Sequence, residues 1–209
     1  MTSSPTSRRL PTGLALLLVG LLVAVATIAT VAFLRPGLVG LVPGLSGAGG
    51  TTSDGQPFAV SADDLTEADG LIPGGTTLDD TNLPGIARLD ASLADALREA
   101  SSDYGMEFVI TTGWRSERYQ AWLLQDAIDT YGSAEEASRW VATPSGSAHV
   151  SGDAVDLQFD AADWLSRHGA AYGLCRTYAN ESWHYELRDG AAQNGCPEPL
   201  ADASSDPRQ

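Results

Sequence analysis

From Leu14 to Leu34 the chain carries no charge, whereas beyond residue 60 apolar positions recur at intervals of two, three and four. A helix rises about 1.5 Å per residue, so the first run matches a hydrocarbon core of roughly 30 Å. Arg8 and Arg9 precede it, and the positive-inside rule then places residues 1–13 in the cytoplasm and everything after Arg35 outside. The competing reading is a cleaved signal sequence, whose apolar stretch is about 7–15 residues and ends at small residues such as Ala24-Val25-Ala26. Residues 35–60 are dense in Gly and Pro (Pro36, Gly37, Gly40, Pro43, Gly44, Gly47, Gly49, Gly50) and read as a linker.

The pattern that follows predicts one folded domain over residues 61–200. Ile86, Leu89, Leu93, Ala96, Leu97 and Ala100 form one apolar face of a helix ending near Gly105. Glu107–Thr112 reads as a strand. Ser116 caps a helix through about Tyr131, with Trp122, Leu123 and Ile128 on its apolar side. Ala134–Val141 suggests a short helix and residues 143–152 a loop. Asp153–Phe159 alternates as a strand does, Ala161–His168 is helical, and Ser182–Leu187 is the last strand. Strands and helices do not alternate strictly, which predicts an α+β fold with a small antiparallel sheet and flanking helices, preceded by the N-terminal transmembrane helix. Residues 201–209, rich in Asp and Ser, read as a disordered tail.

Charge narrows the chemistry. The net charge is −15, and all 12 basic residues are Arg. Without lysine there is no P-loop, no pyridoxal Schiff base and no Ser-x-x-Lys acyl-enzyme site. An acidic surface repels phosphate, so nucleic acid is not an expected partner.

The chain has three histidines. His168 ends a predicted helix beside Gly169, where an imidazolium suits the helix dipole. His149 and His184 come with carboxylates: Asp156 lies seven residues after the first, Glu181 three before the second. Two imidazoles and one carboxylate are the protein ligands of a catalytic zinc, and a further carboxylate can take a proton from water. The spacing by itself is common.

The local sequence is more specific. Ser147–Asp156 follows S-x-H-x-x-G-x-A-x-D, and Glu181-Ser182-Trp183-His184 follows E-x-W-H. Together with Thr112-Gly113-Trp114-Arg115-Ser116 and Gln120, these segments resemble the VanY-type D-alanyl-D-alanine carboxypeptidases, zinc peptidases of the hedgehog/DD-peptidase fold group. The resemblance implies Zn2+ held by His149, Asp156 and His184, with Glu181 as general base and then acid. It also implies Arg115 as a catalytic and substrate-binding group, assisted by Gln120 and Ser147. Ser182 stands where many relatives have proline. The implied substrate is a peptidoglycan stem peptide ending in D-Ala. An endopeptidase or D,D-dipeptidase of the same zinc group, or a non-catalytic binding module that keeps the metal, are the alternatives.

Cys175 and Cys196 lack metal-ligand spacing. In a domain placed outside the membrane they are expected to form a disulfide, the alternative being two buried thiols. The expected location is therefore the cell membrane, single-pass, with the catalytic domain extracytoplasmic, or secreted if the N-terminal segment is cleaved.

Overall fold

The computed structural model describes residues 60–209. The expected cytoplasmic segment, the expected anchor or signal sequence and nearly all of the expected linker lie outside the described residues. Among the described residues, no helix is long and apolar enough to cross a membrane.

The domain is α+β. Its elements are α1 (Pro84–Ala87), α2 (Ala91–Tyr104), β1 (Ile110–Thr112), α3 (Glu117–Tyr131), α4 (Ala134–Ala137), α5 (Ala148–Ser151), β2 (Ala154–Leu157), α6 (Phe159–His168), β3 (Leu174–Arg176), β4 (His184–Leu187) and α7 (Ala191–Asn194). The four strands form one antiparallel sheet in the order β1-β2-β4-β3. Val155 pairs with Tyr185 and Asp156 with His184. Because successive side chains point to opposite faces, this register gives the sheet an apolar face and a polar one. Val155, Leu157, Tyr185 and Leu174 join Leu93 and Leu97 of α2 and Leu165 of α6 in the core. The Tyr185 hydroxyl is satisfied by the Ala162 carbonyl at 2.7 Å.

Several boundaries differ from the sequence expectation. The single helix expected from residue 86 is broken, because Asp90 is an N-cap: its Oδ1 accepts the amides of Ser92 and Leu93, and its own amide donates to the Gly152 carbonyl. The third predicted helix stops at Ala137, and the loop at 143–152 contains α5. The second strand ends at Leu157; Phe159 opens α6 and is 73% exposed, where the alternation had placed it in the strand. The edge strand β3 had no distinct sequence signal. On α3 the most buried side chains are Gln120 and Ala127, while Trp122, Leu123 and Ile128 are only half-buried.

The expected disordered tail is also corrected. Asp202 pairs with Arg139, Asp206 accepts from Tyr178, and Arg208 pairs with Glu186, so residues 201–209 are bonded to the domain at several points. The low-hydropathy composition of this segment reflects anchoring by ion pairs rather than by apolar burial. Cys175 and Cys196 are bonded, tying edge strand β3 to the segment after α7.

Candidate active site

Three local devices bring the site together. Asp156 and His184 are cross-strand partners in β2 and β4, on the polar face of the sheet. His149 is carried by α5, which ends at Gly152 with φ of +88°; a Cβ there would also collide with the Arg88 carbonyl oxygen. The glycine of the Ser147–Asp156 motif is thus required both by its backbone conformation and by close packing. Glu181 is turned back toward His184 by a tight turn in which the His184 amide meets the Glu181 carbonyl at 3.4 Å. Ser182 occupies the second position of this turn, where proline is favoured but not obligatory.

His149, Asp156 and His184 are all buried, and one ligand atom from each lies within 4.8 Å of the others. Their bonds assign the ring nitrogens. His149 Nδ1 faces the Gly113 carbonyl at 2.8 Å and must donate to it, leaving Nε2 as the lone-pair atom. His184 Nε2 faces Glu186 Oε1 at 3.1 Å, leaving Nδ1 in that role. These two nitrogens are 3.2 Å apart, and Asp156 Oδ1 is 3.2 Å from one and 3.4 Å from the other. Lone pairs facing at this range repel unless a cation or a proton lies among them. Two imidazole nitrogens and a carboxylate oxygen suit zinc, so the residues present fit that ion.

The electrostatics of the cluster follow from its burial. Burial lowers the affinity of His149 for a proton, and Arg115 adds to this. For His184, Asp156 and Glu186 outweigh burial and raise its pKa to about 9. Burial opposes the charge on Asp156, yet His149, His184 and Arg115 hold its carboxyl well below the usual range. Glu181 behaves in the opposite way: burial pushes it up to about 7 against the attraction of His184. Its Oε2 stands 3.8 Å from His184 Nδ1. The surroundings thus set the two carboxyls apart, Asp156 held ionised by its cationic and imidazole partners and Glu181 raised by burial.

Arg115, Gln120 and Ser147 line the same cleft of about 150 Å³, walled by Trp140 and Trp183. Arg115 donates from Nη2 to Asp156 Oδ2 at 3.0 Å and from Nη1 to Gln120 Oε1 at 2.9 Å. Gln120 is 1% exposed and donates its amide to the Ala142 carbonyl, so in this structure its side chain braces Arg115. Ser147 is buried at the start of α5. His168 lies elsewhere, at the end of α6 with its ring 4.6 Å from that of Trp164. Glu186 was missed by sequence reasoning, although its place two residues after His184 in a strand puts it on the same face. Tyr178, Asp206 and Arg208, which surround Glu186, carried no such signal.

Residues 87–188 match the family model of VanY, D-alanyl-D-alanine carboxypeptidase. A D-alanyl-D-alanine carboxypeptidase of Enterococcus faecalis (strain ATCC 700802 / V583) is 28% identical over 124 residues, covering 47% of this chain and 46% of the relative. The chain thus spans about half the length of that curated relative. Among solved structures, VanYB in complex with D-alanine-D-alanine is 23% identical with a TM-score of 0.46, covering 51% of this chain and 75% of the other. The LdcB LD-carboxypeptidase is 22% identical with a TM-score of 0.43, covering 51% and 62%. Over residues 87–188, just under half of its length, the chain is thus similar to the VanY D-alanyl-D-alanine carboxypeptidases.

Proposed function

We propose that this chain is a zinc-dependent D,D-carboxypeptidase that removes the terminal D-Ala from peptidoglycan stem peptides. The observation that carries the reading is the convergence of His149 Nε2, His184 Nδ1 and Asp156 Oδ1 beside a buried carboxylate, Glu181, whose pKa is about 7. His149, Asp156 and His184 would hold zinc, which supplies Lewis-acid polarisation of the scissile carbonyl and eases deprotonation of water. Glu181 takes the proton of the attacking water on its carboxylate and hands it to the nitrogen of the departing D-Ala. Arg115 keeps Asp156 ionised through its Nη2 bond, and its remaining N–H groups supply positive charge for the substrate carboxylate or the developing oxyanion. Gln120 orients Arg115, and Ser147 adds a hydroxyl to the cleft wall. Trp140 and Trp183 offer apolar walls to the bound peptide.

The same proposal places the domain outside the cytoplasmic membrane on an N-terminal anchor. It is supported by the uncharged run from Leu14 to Leu34, by Arg8 and Arg9, and by the Cys175–Cys196 bond, which suits an oxidising compartment. Protease access in intact cells should then remove the domain.

The catalytic reading is tested by incubating the zinc-loaded protein with a stem pentapeptide ending in D-Ala-D-Ala and with its carboxyl-amidated counterpart. Free D-Ala released from the first and not the second is the expected result. Cleavage of the amidated peptide indicates an endopeptidase, hydrolysis of free D-Ala-D-Ala alone a dipeptidase, and zinc binding with no cleavage a binding module.

A further inference from the structure

Residues 201–209 run behind the histidine cluster. Arg208 donates from Nη1 to Glu186 Oε2 at 3.0 Å and from Nη2 to Glu186 Oε1 at 2.8 Å. The same Oε1 accepts the Nε2–H of His184 at 3.1 Å. Asp206 accepts from Arg208 Nε at 2.9 Å and from the Tyr178 hydroxyl at 2.7 Å, and the Tyr178 ring lies 5.1 Å from that of His184. Gln209 reaches the other side of the site: its Oε1 accepts the Thr143 amide at 2.9 Å and its Nε2 donates to the Gly146 carbonyl at 3.2 Å. These residues lie on the loop leading to Ser147 and His149. The packing is close, since a Cβ on Gly146 would stand 2.6 Å from Gln209 Nε2 and 2.7 Å from the Arg208 carbonyl oxygen.

We infer that residues 201–209 form a strap that sets the metal affinity of the site, with Arg208 as a positioning residue acting through Glu186 on His184. The inference rests on the metal reading above. A bidentate guanidinium fixes both oxygens of a carboxylate, and a carboxylate behind a ligating imidazole fixes the ring and raises its basicity. Arg188 also reaches Glu186, at 3.1 Å, but through Oε2 alone and from the end of the same strand. Arg208 is the group that holds Oε1, the oxygen bonded to His184. Gln209 extends the strap to the loop that leads into α5, which carries the second imidazole, so one short segment bears on the surroundings of ligands from two separate elements.

The test uses the full chain and measures zinc affinity by competition with a chromophoric chelator. Arg208→Ala and Glu186→Gln should each weaken zinc binding by about 10–100-fold, the usual effect of losing an outer-shell partner. The double variant should be no weaker than the worse single one, because both act through one bonded chain. Arg208→Lys restores the charge without the fork and should fall between wild type and Arg208→Ala; it also serves if the alanine variant does not fold. Melting of the metal-free proteins separates loss of affinity from loss of fold. Wild-type affinity in both Arg208 variants, or losses that multiply in the double variant, would overturn the strap alone. A wild-type chain that binds no zinc would overturn the metal reading and the strap together.

Discussion

The two faces of the sheet are made by alternate residues of the same strands, yet they are stabilised in different ways. On one face Val155, Leu157 and Tyr185 meet Leu97 and Leu165, with the hydrophobic effect as the main term. On the other, Asp156, His184 and Glu186 are as well buried but are held by directed bonds to Arg115, to one another and to Arg208. A buried charge is tolerated only when it is paired and hydrogen-bonded, so the polar face needs partners drawn from distant parts of the chain. The apolar face makes the domain fold, and the polar face confines the chemistry. Glu181 is the exception within the polar set, since burial without a strong partner is what leaves its pKa near 7.

Substitutions should separate these two roles. The largest effect is expected from His184→Ala, which removes one of three proposed ligands; metal content and turnover should fall together while the apolar core is untouched. Retention of stoichiometric zinc with full turnover would break the comparison at its centre. Glu181→Gln keeps shape and ligands, so zinc should stay bound while kcat/KM drops by about 10²–10⁴-fold. Metal analysis beside kinetics distinguishes the two variants.

On the opposite face, Leu97→Ala empties a site that is fully buried and should destabilise the fold by about 2–5 kcal/mol. Below its melting temperature that variant should bind zinc as wild type does. Replacing both Cys175 and Cys196 with Ala frees edge strand β3, and loop closure over a separation of 21 residues corresponds to about 3 kcal/mol in the chain-entropy picture. Denaturant unfolding measures both losses.

The smallest effect belongs to a polar pair outside the sheet, where Asp69 accepts from Ser116 and Arg118. Bonds from Arg118, opposed by burial and aided by Ser116, hold Asp69 at about 2 instead of 3.8. A carboxyl with a depressed folded-state pKa contributes stability above its unfolded pKa and loses it as pH falls through the folded value. The contribution should therefore be present above about pH 4 and fade toward pH 2. Asp69→Asn should flatten the stability profile over that window, by little, because the partner is half-exposed.

Much of the site was legible in the sequence because its spacing follows local geometry. Within the expected spans, Ala154–Leu157 and His184–Leu187 do form strands, and Ser116 is a recognisable cap. The motif around His149, Gly152 and Asp156 spans one turn of helix, one glycine and one strand, so sequence distance alone nearly determines the arrangement. Gln120 was legible as a site residue but not as the brace of Arg115, because its partner at Ala142 lies 22 positions away. The helix break at Asp90 was hidden for a similar reason: the apolar spacing continues through it, while the bond that ends the first segment comes from Gly152.

By itself the sequence determined the uncharged N-terminal run, the polar and apolar alternation of the strands, the candidate ligands and the candidate base. Only the tertiary structure decided which nitrogen of each imidazole faces the centre, that Glu186 stands behind His184, and that residues 201–209 are packed against the site. Local periodicity records which face a side chain takes. It holds no record of a hydrogen bond between residues 22 apart, such as Glu186 with Arg208, or 63 apart, such as Gly146 with Gln209, since those bonds exist only once the chain has closed on itself.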